Sequence, residues 1–320
     1  MNMPRVLVTG ARGFVGEAVV FRLLLDRRVV PVAAARGETR LKGLCPIVSL
    51  ELGDQAALPD LNGIDVIVHA AARVHVMDDS SSDPLAEYRR VNVDGTLQLA
   101  QQASAAGVKR FIFISSIKVN GEQTEPDRPF TALDRPMPKD PYGVSKLEAE
   151  LALQKLAQET GMEVVIIRPP LVYGPGVRAN FLSMMRWLDK GVPLPFGAID
   201  NRRSLVSLTN LVDLVVTCID HPKAAGQVFL VSDGEDLSTT TLLSGMARAL
   251  GKTAALVPLP AVLLTWPAKL LGKGALAQRL CGSLQVDIRH TREVLGWTPP
   301  SRVERALRQT ADYYLDTKNR

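Results

Sequence analysis

Short apolar runs alternate with helical spacings along the first half of the chain. Residues 5–9 (RVLVT), 29–34, 46–50, 64–69 (IDVIVH), 110–115 (RFIFIS) and 163–167 (EVVII) read as strands. Between the first two, Phe14, Val15, Ala18, Val19 and Leu23 recur at helical spacing over 14–25. Residues 86–106 and 141–160 read as longer helices, the second opening on a proline that suits a first turn. Strands alternating with helices predict βαβ units and a parallel sheet. The unbroken runs FIFI and VVII predict strands covered on both faces.

The pattern changes after Arg168-Pro169-Pro170. Proline and glycine become dense (Tyr173-Gly174-Pro175-Gly176, Pro193, Pro195, Gly197) and the elements shorten and mix. This predicts a boundary near residue 170, with one domain over 1–170 and a smaller α/β domain over 171–320. Residues 260–282 are apolar and basic, broken by Pro267 and Gly272 into pieces too short to span a bilayer. They read better as a helix covering the second core than as one lying on a membrane.

Composition narrows the class. With 320 residues, 46% hydrophobic and 22% charged, the chain has the profile of a soluble globular protein able to bury its own core. Its 38 basic and 33 acidic residues leave a net charge of +5, yet the sharpest clusters, Arg27-Arg28 and Arg202-Arg203, are only pairs. That suits an anionic ligand and argues against nucleic acid. Three widely spaced cysteines and no CxxC argue against a zinc site or a redox pair. The N-terminus runs into an apolar strand without a signal-peptide layout, so the expected location is the cytoplasm.

Thr9-Gly10-Ala11-Arg12-Gly13-Phe14-Val15-Gly16 reads GxxGxxG between a strand and a helix. Glycines permit the tight turn and let the backbone N–H groups of a helix start approach a pyrophosphate. The expected architecture is therefore a Rossmann-type doubly wound parallel sheet with a smaller C-terminal α/β substrate domain. Gly10, Arg12, Gly13, Phe14 and Val15 are the first cofactor candidates. A site for NAD usually carries an acid at the end of the second strand, to hold the ribose 2′-hydroxyl. Here that strand ends Ala33-Ala34-Ala35-Arg36. Arg12 and Arg36 without a carboxylate favour a 2′-phosphate, hence NADP(H), with NAD(H) left open. Glu51, Leu52 and Asp54 follow the third strand, within reach of an adenine.

Tyr142 and Lys146 stand four apart on a helix and so share a face. An ammonium beside a phenol favours the phenolate, which predicts a lowered Tyr142 pKa and a proton donor/acceptor for an alcohol–ketone pair. Ser115-Ser116 at the end of the fifth strand adds a hydroxyl where open parallel sheets place their chemistry.

The motifs TGARGFVG, HAAA at 69–72, VNVDGT around Asn92, SSIKVNG, YGVSK and RPPLVYGPG occur in the order of the extended short-chain dehydrogenase/reductases, which residues 5–176 resemble. The resemblance implies Ser116, Tyr142 and Lys146 as the catalytic triad. It further implies Ala70, Ala71, Ala72, Asn92 and Pro169 around the cofactor. The second half resembles the sugar-nucleotide branch of that family in Asn180, VPLPFG around Leu194, RSLVSL from Arg203, and LGWTP. This implies a UDP-sugar, with Asn180 and Arg203 on its diphosphate and Leu194 beside the uracil. Lys118 would lie near the sugar, and Arg279 would be a second phosphate partner. The helices at 86–106 and 142–160 resemble the family's dimer helices, implying a homodimer.

Dehydratases of the family carry an Asp-Glu pair after the catalytic hydroxyl. Here the positions are Ile117 and Lys118, which argues against dehydration. The stretches running from RPPLVYGPG to RRSLVSL, and VSDGEDLSTT, resemble bacterial O-antigen 4-ketoreductases, the UDP-N-acetylquinovosamine dehydrogenases. The implied reaction is NAD(P)H-dependent reduction of the C4 ketone of a UDP-4-keto-6-deoxy-N-acetylhexosamine, for lipopolysaccharide synthesis. The alternatives are a UDP-hexose 4-epimerase, a non-catalytic dinucleotide sensor, and a reductase of apolar alcohols.

Overall fold

β1 (Arg5–Thr9) feeds directly into the glycine turn and α1 (Phe14–Asp26). β2 (Val30–Ala35), β3 (Ile47–Ser49) and β4 (Val66–His69) follow. Then come α2 (Pro84–Arg89), a π-helical turn over Arg90–Asp94, and α3 (Gly95–Ala105). β5 (Arg110–Ile114), α4 (Pro141–Thr160), β6 (Glu163–Arg168), β7 (Leu171–Tyr173) and α5 (Ala179–Asp189) come next. β8 (Arg203–Ser207), α6 (Leu208–Asp220), β9 (Val228–Leu230), β10 (Asp236–Leu237) and α7 (Thr239–Ala249) continue the chain. It closes with α8 (Ala261–Leu270), α9 (Gly274–Cys281), α10 (Arg289–Leu295) and α11 (Val303–Lys318). The structure, a computed structural model, describes residues 3–53, 58–74, 83–125, 127–270 and 274–318.

Among the described residues seven strands form one parallel sheet in the order β3-β2-β1-β4-β5-β6-β9. Side chains alternate across it as strand geometry requires. Val6, Val8, Val68, Ile112, Ile114, Val165 and Ile167 face α1 and α6. Leu7, Ile67, Phe111, Phe113, Val164 and Ile166 join the core that α3 and α4 cover. Phe111 and Phe113 are fully buried, each contributing about 2–3 kcal/mol of transfer free energy. Both faces are thus covered, as the FIFI and VVII runs predict. The carboxyl ends of all seven strands share one edge, where such sheets place their ligands.

A boundary at residue 170 does not follow the chain. After β7, α5 and β8 the backbone returns: α6 packs on α1, and β9 pairs with β6 through Ile166–Val228 and Arg168–Leu230. The reason is backbone hydrogen bonding and apolar burial. Without residues 208–230, β6 would present an unpaired edge and α1 a bare apolar face. Residues 208–230 thus return to the sheet of the first 170 residues. The second lobe proper is the small sheet β10-β8-β7 with α5, α7 and α11 around Tyr173, Phe181, Met185 and Leu243.

α8 runs through Pro267, and Val262 and Leu263 on it are exposed (71% and 61%), so these two do not cover the second core. Among the described residues no helix is long and apolar enough to cross a membrane.

Candidate functional site

The glycine turn is shaped by close approaches. Gly10 has φ +65°, and a Cβ there would lie 2.8 Å from the Ala70 and Ala71 backbone. A Cβ at Gly16 would fall 2.3 Å from the Gly10 carbonyl oxygen, so only glycine lets α1 pack on the turn. Gly13 N–H donates to Gly10 O at 2.7 Å, and Gly13 caps α1 with no side chain. A helix start uncapped by a side chain and flanked by glycines has the donor set that a pyrophosphate needs, so the turn fits a dinucleotide. Gly10, Gly13, Phe14 and Val15 would hold it.

Thr9 and His69 support this turn from the ends of β1 and β4. Thr9 Oγ1 accepts the Ala71 N–H at 3.1 Å and bonds His69 Nδ1 at 2.9 Å, and His69 Nε2 meets Thr96 Oγ1 at 3.0 Å. His69 is fully buried, and burial followed by the Lys146 charge lowers its pKa to about 3. It is a neutral strut between β4, the turn and α3. Ala71 and Ala72 continue beyond β4, half-buried.

Arg12 Nη1 donates to the Arg36 carbonyl at 2.5 Å, and Arg36 Nη1 stands 3.9 Å from Glu51 Oε1. The two arginines therefore meet beyond the end of β2, both exposed, with Glu51 beside them. Leu52 packs against Gly95, whose Cβ would meet it at 3.0 Å. Asp54 and the Arg279 side chain lie outside the described residues.

α4 begins and ends where its sequence says. Asp140 caps it by accepting Gly143 N–H at 2.6 Å, Pro141 occupies the first turn, and Gly161 at φ +76° stops it. It places Tyr142 and Lys146 beside the end of β5. Lys146 is 2% exposed; its Nζ donates to Ile114 O at 2.9 Å and lies 4.3 Å from the Phe113 ring centre. Burial lowers the Lys146 pKa to about 7, against the opposing pull of Glu150. The Tyr142 phenol is raised, not lowered: burial dominates, then Asp140 and Tyr88. Ile114 O holds the Lys146 ammonium, which is itself desolvated.

Ser116 Oγ accepts the Lys118 N–H at 3.3 Å, capping the single turn Ile117–Val119 and leaving its own proton to donate. Pro169 O accepts Ile117 N–H at 2.9 Å, fixing that turn. Lys118, expected to contact the sugar, is ion-paired with Asp140 and stands 3.6 Å from Glu122. Asn92 bonds Ser145, next to Lys146, at 3.0 Å. Glu150, Arg168, Asn120 and Ser115 form a buried network below the group, legible only as an acid one turn beyond Lys146.

The structure thus brings Ser116, Lys118, Tyr142, Lys146 and Asn92 into one group at the sheet edge. The second-lobe candidates lie on other elements. Asn180 is exposed in the first turn of α5. Arg203 Nη1 donates to Gly282 O at 3.0 Å. Leu194 is 5% exposed in the second core, with its N–H and C=O engaged by Ala255 and Val257. It offers a ligand neither a hydrogen bond nor much side-chain surface.

A dinucleotide cradle beside a proton-handling phenol is what a nicotinamide-dependent enzyme acting on an alcohol or ketone requires. The chain belongs to the NAD dependent epimerase/dehydratase family, whose model matches residues 6–232. It is 52% identical to a UDP-glucose 4-epimerase of Vibrio cholerae, over all of this chain and 98% of that one. It is 31% identical to a UDP-glucose 4-epimerase of Mycolicibacterium smegmatis, over 97% and 98%. Its fold is that of the UDP-glucuronic acid 4-epimerase from Bacillus cereus in complex with NAD, at TM-score 0.78, 22% identity and 98% and 99% coverage. The 52% relative is thus named as an epimerase, not as the 4-ketoreductase to which the sequence resemblance points.

Proposed function

We propose that the chain interconverts C4 epimers of a UDP-hexose, UDP-glucose or its 2-acetamido relative, by reversible oxidation at C4. The observation that carries this is the Ser116–Tyr142–Lys146 group at the sheet edge with Ile117 and Lys118 following Ser116. The group can move a proton on and off an alcohol, and no Asp-Glu pair follows Ser116 to eliminate water. The full-length relatives named UDP-glucose 4-epimerase support it.

A bound nicotinamide supplies the hydride acceptor and donor. In this reading Tyr142 Oη takes the proton of the C4 hydroxyl and returns it. Ser116 Oγ, whose lone pair is engaged by Lys118 N–H, donates its proton to the same sugar oxygen. Lys146 titrates near neutrality, and in its charged form favours the phenolate. Asn180 and Arg203 hold the diphosphate, for which a guanidinium fork is suited. The helices α2 to α4 serve a homodimer in the cytoplasm.

A second reading, net C4-keto reduction to UDP-N-acetylquinovosamine, is favoured by Arg12 and Arg36, which suit an exchangeable NADPH. Proton NMR separates the two. The enzyme with NAD and UDP-glucose or UDP-N-acetylglucosamine should build up the C4 epimer without net NADH. Failure of both sugars, with NADPH consumed by the 4-keto-6-deoxy sugar nucleotide, would establish the reductase instead.

A further inference from the structure

Lys118 stands on the turn Ile117–Val119 that follows Ser116, and its ammonium is ion-paired with Asp140. It also lies 5.9 Å from the centre of the Tyr142 ring. Asp140 has a second partner: its Oδ1 accepts Gly143 N–H at 2.6 Å, as the cap of α4. Gly143 permits this approach, since a Cβ there would come within 3.0 Å of both the Lys118 carbonyl oxygen and Asp140 Oδ1. Met137 N–H adds a bond to Val119 O at 2.9 Å. One ion pair therefore fastens the turn bearing Ser116 to the helix start bearing Tyr142.

The charged and titratable groups around Tyr142 come from three elements. Asp140 and Lys146 lie on or beside its own helix. Lys118 comes from the turn after β5, with Glu122 behind it. Tyr88 on α2 presents a ring edge at 6.0 Å. Asp140 is a negative neighbour that opposes formation of a phenolate, and the Lys118 ammonium is ion-paired with that carboxylate.

We propose that Lys118 is a positioning residue for Tyr142. Its ammonium holds the Asp140 carboxylate, joins the Ser116 turn to the start of α4, and offsets the charge that would keep the phenol protonated. The functional meaning of this device rests on Tyr142 being the acid/base of the reaction; the coupling itself does not. At the position after Ile117 the lysine is thus a tuning group rather than a ligand of the sugar.

The test uses the full chain saturated with NAD and labelled with ring-ζ carbon-13 tyrosine. Five tyrosine signals are present, and Tyr142→Phe assigns the one of interest. In Lys118→Met the Tyr142 ionisation should move up by about one pH unit, because Asp140 is left unbalanced. In Asp140→Asn, which keeps an oxygen for the Gly143 N–H, it should move down by about as much. The double variant should return close to the wild type. A Tyr142 signal that behaves alike in all four proteins, or that is silent in all four, overturns the proposal. So does a Lys118→Met enzyme whose only change is a raised KM for the UDP-sugar, which would make Lys118 a ligand. Separately, Tyr142→Phe with wild-type turnover would overturn the acid/base reading while leaving the measured coupling intact.

Discussion

Asn92 Nδ2 donates to Ser145 Oγ at 3.0 Å, joining the π-helical turn to the helix that carries Tyr142 and Lys146. Ser145 Oγ donates in turn to Tyr142 O at 2.8 Å, while Asn92 Oδ1 accepts Arg73 N–H at 2.8 Å. One amide thus links the loop after β4 to α4. Asn92 and Ser145 are buried, so Asn92→Ala should leave polar groups unsatisfied and cost about 2 kcal/mol. Urea unfolding measures that, and turnover should fall at least about tenfold as α4 loses its register. A variant as stable and active as the wild type would remove Asn92 from the account.

Glu150 and Arg168 form a buried ion pair, 1% and 5% exposed at the side chain, completed by Asn120 and Ser115. Glu150→Ala strands a buried guanidinium and should cost about 3–5 kcal/mol. Glu150→Leu with Arg168→Met should cost clearly less than the two single changes added together. Additive losses in equilibrium unfolding would show that the pair is not coupled.

His69 sets an acid limit on stability. Its folded pKa of about 3 lies below the ordinary 6.5, so between these values the unfolded chain binds the extra proton. The stabilising contribution is complete above about pH 6.5 and is lost as pH falls toward 3. The slope should approach about 1.4 kcal/mol per pH unit near pH 4.5. His69→Gln should be less stable at pH 7 and should lose that part of the slope. Parallel pH–stability curves for the two proteins would refute it.

Arg12 and Arg36 meet beyond β2 with no carboxylate on the strand end. In the reductase reading, fluorescence titration should show NADPH bound more tightly than NADH; the epimerase reading predicts NADH bound at least as tightly. Arg36→Ala should weaken NADPH about tenfold and leave NADH unchanged. Equal losses for both nucleotides would place Arg36 away from the 2′ position.

The parts of the fold written in local chemistry were readable from the chain. Asp140-Pro141 and Gly161 bound α4 at both ends, and GxxGxxG after RVLVT marks the β1–α1 turn. What tertiary contacts decide was hidden. Residues 86–106 look like one helix, but Asn92 reaching Arg73 and Ser145 accompanies a π-turn within it. The return of 208–230 to the sheet answers an open edge on β6 that no local pattern announces. In the site, the type and spacing of Tyr142 and Lys146 were visible, but the direction of the Tyr142 shift was not. It depends on burial, Asp140 and Tyr88.

The central claim is that one hydride leaves and returns to the same sugar carbon. UDP-glucose deuterated at C4, incubated with the enzyme and unlabelled NAD, tests it most directly. Product UDP-galactose carrying the deuterium at C4 is the predicted result. UDP-galactose without the label, or no epimer at all while label accumulates in the free nucleotide pool, would contradict it.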